Sequence, residues 1–148
     1  MKLAIGADHG GFTLKETVKA HLIERGFEVE DCGTFDEKSV NYAPIAKKVA
    51  DKIVGGECER GILICGTGIG MSMAANKVKG IRAAHCGDCF CAKYTRLHND
   101  ANILCMGARI TGAGLALEIV DLFVDTEFEG GRHIARIAEI ADIENGKL

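Results

Sequence analysis

The chain has 148 residues, which fits one domain spanning residues 1–148 and is long enough to bury a substantial core. Its 47% hydrophobic and 26% charged residues are ordinary for a globular protein and exclude a disordered chain. The net charge of −3 excludes a general attraction to nucleic acid or to an anionic membrane, so an anionic ligand would need a local basic cluster.

No apolar run approaches the roughly 18 residues that a membrane span requires, so we expect no membrane association. The amino terminus reaches Asp8 before a secretory apolar segment could form. With no signal peptide expected, the seven cysteines point to reduced thiols and a cytoplasmic location.

The periodicity of apolar residues predicts the secondary structure in chain order. Apolar runs predict strands at residues 3–7, 27–31, 61–65, 81–84 and 102–106. Helical patterns cover residues 12–25, a segment with the stripe Ile45, Val49 and Ile53, a short segment ending near 78, and residues 90–98, 113–124 and 133–144. Gly26 is a suitable end for the first helix.

Alternating strands and helices predict a single doubly wound, Rossmann-like α/β/α sandwich with a five-stranded parallel sheet. We expect the strand order 2-1-3-4-5 and a ligand site at the carboxyl ends of strands 1 and 3, where the order reverses. Those ends carry the segments Asp8–Gly11 and Cys65–Gly70. The topology therefore predicts that two polar segments distant in sequence lie together.

The segment Gly66-Thr67-Gly68-Ile69-Gly70 connects a buried strand to a helix. It lacks the glycine at position 71 of a dinucleotide fingerprint, where Met71 stands, and it lacks the Gly-Lys-Ser/Thr ending of a P-loop. Its amides and the helix amino terminus could still bind an anion. The alternative is a tight, glycine-rich turn without a ligand.

Cys65 precedes these amides, and a thiol near a helix amino terminus ionises more easily. It could act as a proton-abstracting base, with Thr67 offering a hydroxyl and an amide to a developing oxyanion. The alternative is that Cys65 is a small core residue, as we expect for most of the cysteines.

Two further polar segments are candidates for ligand contact. Asp8-His9 ends the first strand, where a hydrogen-bonded loop pair is the alternative. The run from His98 to Asn102 enters the last strand, and helix capping explains its Asn and Asp residues without explaining His98.

Arg132 and Arg136 share one face near the amino terminus of the last helix. Cations there oppose the helix dipole, so an anion docking between them is a reason for their presence. Arginine suits phosphate through bidentate hydrogen bonds, and Arg109 could join the group. A solvated surface cluster is the alternative.

The segment from His85 to Cys91 contains Cys86 and Cys89 at the spacing of a metal-binding pair. No second pair matches it, and a four-ligand site within one segment would be cramped. We expect no metal and no other cofactor.

Several of these segments together resemble the type B ribose-5-phosphate isomerases, a family that extends to allose-6-phosphate and galactose-6-phosphate isomerases. The resemblance runs from residue 1 to about residue 144 and is carried by these segments: 8–11, 61–70, 74–77, 80–83, 98–102 and 129–133.

The resemblance implies an aldose–ketose isomerase that needs no metal and acts on a phosphorylated sugar. It implies that Cys65 is the base, that Thr67 and the loop amides stabilise a cis-enediolate, and that His98 with Asp8 opens the sugar ring. The substrate contacts that it implies are His9, Gly66, Gly68, Ile69, Gly70, Asn99, Arg109, Arg132, Arg136 and Tyr42. It also implies a homodimer, or a dimer of dimers, whose active site draws on two subunits.

One branch of the family lacks the cysteine and has a glutamate base at the position of Met71, so this sequence resembles the cysteine branch. Asn41-Tyr42-Ala43-Pro44 departs from the usual Asp-Tyr-Pro of the family. The resemblance therefore does not define the shape of the pocket around Tyr42.

The expected reaction is the interconversion of ribose 5-phosphate and ribulose 5-phosphate in pentose phosphate metabolism. The same chemistry on a six-carbon or four-carbon sugar phosphate is the first alternative. A non-catalytic nucleotide- or metal-binding module is the second.

Overall fold

A computed structural model describes all residues from 1 to 148 and shows one sheet enclosed by helices. The strands are β1 Lys2–Ala7, β2 Glu28–Asp31, β3 Arg60–Cys65, β4 Ala83–His85 and β5 Ile103–Gly107. The helices are α1 Phe12–Glu24, α2 Tyr42–Val54, α3 Ile69–Ala75, α4 Cys89–Asn99, α5 Ala113–Asp125 and α6 Arg132–Glu144. The strands and helices alternate as the sequence predicts.

All strand pairs are parallel, in the order β2-β1-β3-β5-β4. The expected order 2-1-3-4-5 is therefore wrong at one edge. The reason is burial: β5 is buried along all its five residues and occupies an inner position, whereas the three residues of β4 are half-buried or exposed. The expected reversal between β1 and β3 is confirmed, and it places the ligand edge of the sheet beside these two strands.

Alternate residues of the strands point to two separate cores, as expected when helices cover both faces of a sheet. One core packs the sheet against Leu14, Val18 and Leu22 of α1 and against the apolar face of α5. The other packs it against α2 and α3, and it contains Cys65 and Cys105. The doubly wound sandwich is thus confirmed.

Several boundaries differ from the predicted ones. The short helix α3 ends at Ala75 rather than near Val78, and β4 begins at Ala83 rather than Ile81. Gly26 follows α1 with a φ of +89°, a backbone conformation that favours glycine, so the predicted helix end is confirmed. None of the helices combines the length and apolar character that crossing a membrane requires.

Candidate active site

Two loops meet where β1 and β3 end. The Oδ1 atom of Asp8 accepts hydrogen bonds from the amides of Gly10, at 2.9 Å, and Gly11, at 3.2 Å, which closes the first loop into a tight turn. A Cβ atom at Gly10 would lie 3.3 Å from the Gly66 nitrogen, so the absence of a side chain lets the loops touch. The predicted meeting of the two polar segments is confirmed.

Cys65 is the last residue of β3 and lies at the start of the second loop. Its Sγ atom accepts a hydrogen bond from the Gly68 amide at 3.0 Å. Gly68 has a φ of +80° and immediately precedes α3, so the amide that reaches the sulfur belongs to a turn that needs glycine. A hydrogen bond to the sulfur stabilises a thiolate, which a proton-abstracting base requires.

The surroundings of the loop hold it in place and leave the sulfur little exposed. The Thr67 hydroxyl accepts a hydrogen bond from the Ile69 amide at 3.2 Å. The ring of Tyr42, at the start of α2, lies against Gly70, where a Cβ would be 2.8 Å from the Cζ atom of the tyrosine. Only 5% of Cys65 is exposed, so the glycine loop and the neighbouring core residues cover most of it.

Arg109 lies against the start of the glycine loop. Its backbone amide donates to the Gly66 carbonyl at 3.0 Å, and its guanidinium lies beside Gly66, with Nη1 at 3.3 Å from an ideal Cβ position. The residue is exposed, so its long side chain has room to turn toward an anion. Arg109 therefore joins the group around Cys65.

His9, the residue after Asp8, is held by the loop before α2. Its Nδ1 atom accepts a hydrogen bond from the Val40 amide at 3.3 Å. An amide N–H only donates, so the Nδ1 atom in this pair carries no proton and the Nε2 atom carries the hydrogen of the neutral ring. His9 thus offers an N–H donor to a ligand at this edge of the sheet.

The remaining candidates form a second group, at the end of α4 and the start of α6. The rings of His98 and His133 stack with centroids 4.2 Å apart, and the Nε2 atoms of both approach the Glu129 carboxylate, at 3.7 and 3.9 Å. Arg132 and Arg136 flank His133 on α6 and are exposed. This group carries the positive charge that a phosphate needs.

His133 is buried, and its Nε2 atom has no hydrogen-bond partner. Burial lowers the pKa of His133 below its ordinary value, and the neighbouring His98 and Arg132 lower it further, against the effect of Glu129. The neutral ring is therefore favoured, and the positive charge of this group resides mainly on the arginines.

His98, Glu129 and His133 are the only set of side chains whose ligand atoms converge as a metal site would require, within 4.8 Å of one another. A metal ion lies close to the ring plane of each histidine that binds it. The two ring planes are within 15° of parallel and are stacked, so one ion cannot lie in both. The residues do not fit a metal without reorientation of a ring.

Cys86, Cys89 and Cys91 form no ligand cluster either. Cys86 is buried, and burial raises the pKa of its thiol to about 12. The Cys89 sulfur contacts Glu118 of α5, and Cys91 is exposed at the start of α4. The second alternative reading of the sequence, a metal-binding module, thus gains no support from this segment.

Within one chain the candidate site residues lie in two separate groups. Asp8, Cys65, Thr67 and their loops lie at the carboxyl edge of the sheet, whereas His98 and Asn99 are the last residues of α4. That helix has 11 residues and leads about 16 Å away from the end of β4. Asp8 and His98 are therefore not neighbours in the single chain.

A groove lies beside the second group. It has a volume of about 290 Å³ and is lined by residues of β4 and α4, among them His85, His98 and Asn99. His85 contacts the glycine loop through Thr67, a contact that the sequence analysis missed. The signal was present, because His85 ends a parallel strand and so lies at the ligand edge.

These features define an enzyme-like α/β domain: a parallel sheet whose crossover point holds a thiol facing loop amides, with cationic side chains nearby to bind an anion. The chain belongs to the Ribose/Galactose Isomerase family, whose family model matches residues 3–140.

Relatives cover nearly the whole chain. Ribose-5-phosphate isomerase B of Escherichia coli is 49% identical over 97% of this chain and 96% of its own length. D-erythrulose-4-phosphate isomerase of Pectobacterium atrosepticum is 42% identical over 98% of this chain and 96% of its own. The solved structure of ribose-5-phosphate isomerase B from Clostridium thermocellum superimposes with a TM-score of 0.98, at 51% identity and 100% coverage of both chains. The resemblance to this family is thereby confirmed.

Proposed function

We propose that the chain interconverts ribose 5-phosphate and ribulose 5-phosphate by moving a proton between carbons 1 and 2 of the open-chain sugar. The observation that carries the proposal is the Cys65 sulfur, which lies 3.0 Å from the Gly68 amide at the crossover point of the sheet. The relatives named as ribose-5-phosphate isomerases, with which the chain aligns over nearly its full length, support the choice of substrate.

The reaction needs three things, and the described residues can supply each. Cys65 as the thiolate removes the proton from the carbon next to the carbonyl and returns it to the adjacent carbon. Amides of the glycine loop, together with Thr67, stabilise the negative oxygen of the cis-enediolate. Asp8 holds the neighbouring turn and, with His98, serves ring opening.

Binding of the phosphate orients the reacting carbons without taking part in the proton transfer. We assign this role to His9, through its Nε2–H group, and to the guanidinium groups of Arg109, Arg132 and Arg136. Asn99 contacts the sugar hydroxyls, and Tyr42 with Gly66, Gly68, Ile69 and Gly70 forms the pocket wall around the reacting end.

We propose that the complete site forms between two subunits of a homodimer, or of a dimer of dimers. The group around Cys65 and the group around His98 lie apart in one chain, so a second copy would bring one group to the other. Exposed apolar side chains on α3 and α4 support this, because Ile69 is 46% exposed, Met73 64% and Phe90 69%.

All seven cysteines are free thiols, which supports a reducing location such as the cytoplasm.

A four-carbon substrate is the second candidate, because one relative is named as an isomerase of D-erythrulose 4-phosphate. The preference between a four-carbon and a five-carbon substrate would depend on the length of the pocket between the Cys65 thiol and the arginines. Comparing kcat/KM for four-, five- and six-carbon sugar phosphates, with a chelator present, separates the candidates. We expect the five-carbon substrate to give the highest value, and a higher value for another length would replace it.

The assignment of the base is tested by Cys65→Ala. We expect this variant to retain the fold and thermal unfolding temperature of the unaltered chain while losing nearly all turnover. Cys105→Ala changes a buried cysteine on the neighbouring strand and serves as the control for a general effect of removing a thiol. Activity of Cys65→Ala close to that of the control would refute the assignment.

A further inference from the structure

A single peptide group connects His85 to Cys65. The carbonyl oxygen of Thr67 lies 2.7 Å from the Nε2 atom of His85, and the N–H of the same peptide, which belongs to Gly68, donates to the Cys65 sulfur at 3.0 Å. A carbonyl oxygen only accepts, so the His85 Nε2 atom carries a hydrogen in this contact. The peptide group thus accepts from His85 at one end and donates to Cys65 at the other.

The orientation of this peptide group is held by its neighbours. Gly68 has a φ of +80°, and a Cβ there would lie 2.7 Å from both the His85 ring and the Met106 backbone. Behind the peptide, a Cβ at Gly107 would lie 2.6 Å from the carbon and oxygen of Thr67. Backbone and ring therefore enclose the peptide, so its carbonyl stays directed at His85 and its N–H at the sulfur.

A hydrogen bond accepted by a carbonyl polarises the amide and makes its N–H a stronger donor. A stronger donor stabilises a negatively charged acceptor more than a neutral one. We propose that His85 is a positioning residue for Cys65: its Nε2–H orients and polarises the Thr67–Gly68 peptide so that the Gly68 amide supports the thiolate. This inference rests on the proposed role of Cys65 as the base.

Other charged and titratable groups also lie around the loops at Cys65, and they come from three elements. Asp8 and His9 follow β1, Arg109 follows β5, Cys105 lies within β5, and Tyr42 begins α2. None of them has a hydrogen bond to the Thr67 carbonyl, which His85 alone contacts through a side chain. A change at His85 therefore tests the link through the peptide while leaving these groups in place.

The test compares His85→Asn with His85→Gln. The side-chain nitrogen of glutamine reaches about as far as the histidine Nε2 atom, whereas that of asparagine stops at the position of Nδ1. Both variants place a polar side chain at an exposed position of an edge strand, so we expect both to fold. The two differ mainly in whether a donor can reach the Thr67 carbonyl.

Reactivity of Cys65 with iodoacetamide, measured on the native protein, reports on the thiolate without requiring turnover. Trypsin releases residues 61–77 as a peptide whose only cysteine is Cys65, so mass spectrometry can quantify it separately. The peptide of residues 26–38 contains only Cys32 and serves as an internal control. Thiol alkylation is followed from pH 6 to pH 9, and kcat and KM are measured in parallel.

We expect His85→Asn to slow alkylation of Cys65 at neutral pH by roughly two- to fivefold and to move its pH profile to higher pH. Its kcat falls by a similar factor with KM nearly unchanged, while His85→Gln recovers most of both rates. The inference would be overturned if Cys65 were alkylated at the same rate in the unaltered chain and in His85→Asn. It would also be overturned if His85→Asn and His85→Gln lowered that rate equally. Because alkylation needs no substrate, this result is independent of whether the chain isomerises ribose 5-phosphate.

A second measurement observes the peptide group directly. In protein labelled with ¹⁵N-glycine, the Gly68 amide resonance of the unaltered chain should differ from that of His85→Asn, because the His85 ring donates to the carbonyl of the peptide whose N–H belongs to Gly68. A Gly68 resonance that is the same in both proteins contradicts the proposal, whatever their alkylation rates.

Discussion

The Nζ atom of Lys15 lies 2.8 Å from both carboxylate oxygens of Asp31, and the lysine is completely buried. Lys15 belongs to α1 and Asp31 ends β2, and the same Nζ atom donates to the Thr34 carbonyl at 2.7 Å. The ammonium group therefore ties α1 to the start of the loop that leads toward Val40, whose amide holds His9. The charge pair thus anchors one end of the segment 34–40, and the other end of that segment contacts His9.

Replacing Lys15 with methionine removes this tie without changing the size of the side chain much. The Asp31 carboxylate keeps only Lys19 as a cationic partner, at 2.7 Å. We expect a loss of about 2 kcal/mol in the free energy of unfolding, measured in urea, because a partly buried carboxylate loses its main partner. The control is Lys47→Met, which breaks an exposed ion pair with Asp51 and should leave the free energy of unfolding almost unchanged. Equal losses in the two variants would contradict the structural role of Lys15.

The same carboxylate makes stability depend on pH in the acid range. Burial alone would raise the pKa of Asp31, but hydrogen bonds from Lys15, Lys19 and the Gly33 amide outweigh it and hold the pKa below its ordinary value. The folded chain thus binds this proton less readily than the unfolded chain. The resulting stabilisation is present above the ordinary Asp value near pH 3.8 and is lost as pH falls through the lower folded value.

The variant Asp31→Asn isolates this contribution. At neutral pH it should be less stable than the unaltered chain, because the buried Lys15 then keeps only the more exposed Glu16 carboxylate, at 3.0 Å, as an anionic partner. As pH falls below about 4, the difference in urea unfolding free energy between the two proteins should shrink. A difference that stays constant from pH 7 to pH 3 would show that the ionisation of Asp31 is not linked to folding.

Gly107 backs the peptide that reaches Cys65. A Cβ there would lie 2.6 Å from the backbone carbon and oxygen of Thr67, atoms that cannot turn aside as the end of a side chain can. We expect Gly107→Ala to displace the loop and to lower kcat roughly tenfold or more. Gly114→Ala, in the first turn of α5, meets no atom within 4 Å and should retain full activity. Unchanged kcat in Gly107→Ala would show that the position of this peptide does not limit the rate.

Local patterns predicted the elements and the edge at which Asp8 and Cys65 meet, because burial periodicity and the right-handed crossover rule constrain both. They could not predict the outer strand order, since three-residue β4 carries too weak a signal to show which strand is central. The contact of the Val40 amide with His9 depends on loop geometry and is not encoded in any short pattern. The position of His85 at the ligand edge, by contrast, follows from its place at the end of β4. The separation of His98 from Asp8 could not be predicted either, because it depends on the direction in which α4 runs.

The proposed site between subunits can be tested by combining defective chains. Cys65→Ala and His98→Ala are coexpressed with different affinity tags, and mixed dimers are purified through both tags. If each site takes its thiol from one chain and His98 from the other, one site of a mixed dimer is intact and the other carries both changes. We expect about half of the wild-type activity in the mixed dimers, although each parent is nearly inactive.

The reciprocal pairing is the control for this experiment. Unaltered chains are combined with chains that carry both Cys65→Ala and His98→Ala, and the mixed dimers are isolated in the same way. With a shared site, every site of these dimers lacks one of the two residues, so activity should be nearly absent. With a site contained in one chain, the unaltered subunit would keep about half of the activity and the first pairing would have almost none. The two pairings thus give opposite results for the two arrangements, which identifies where the His98 of each active site comes from.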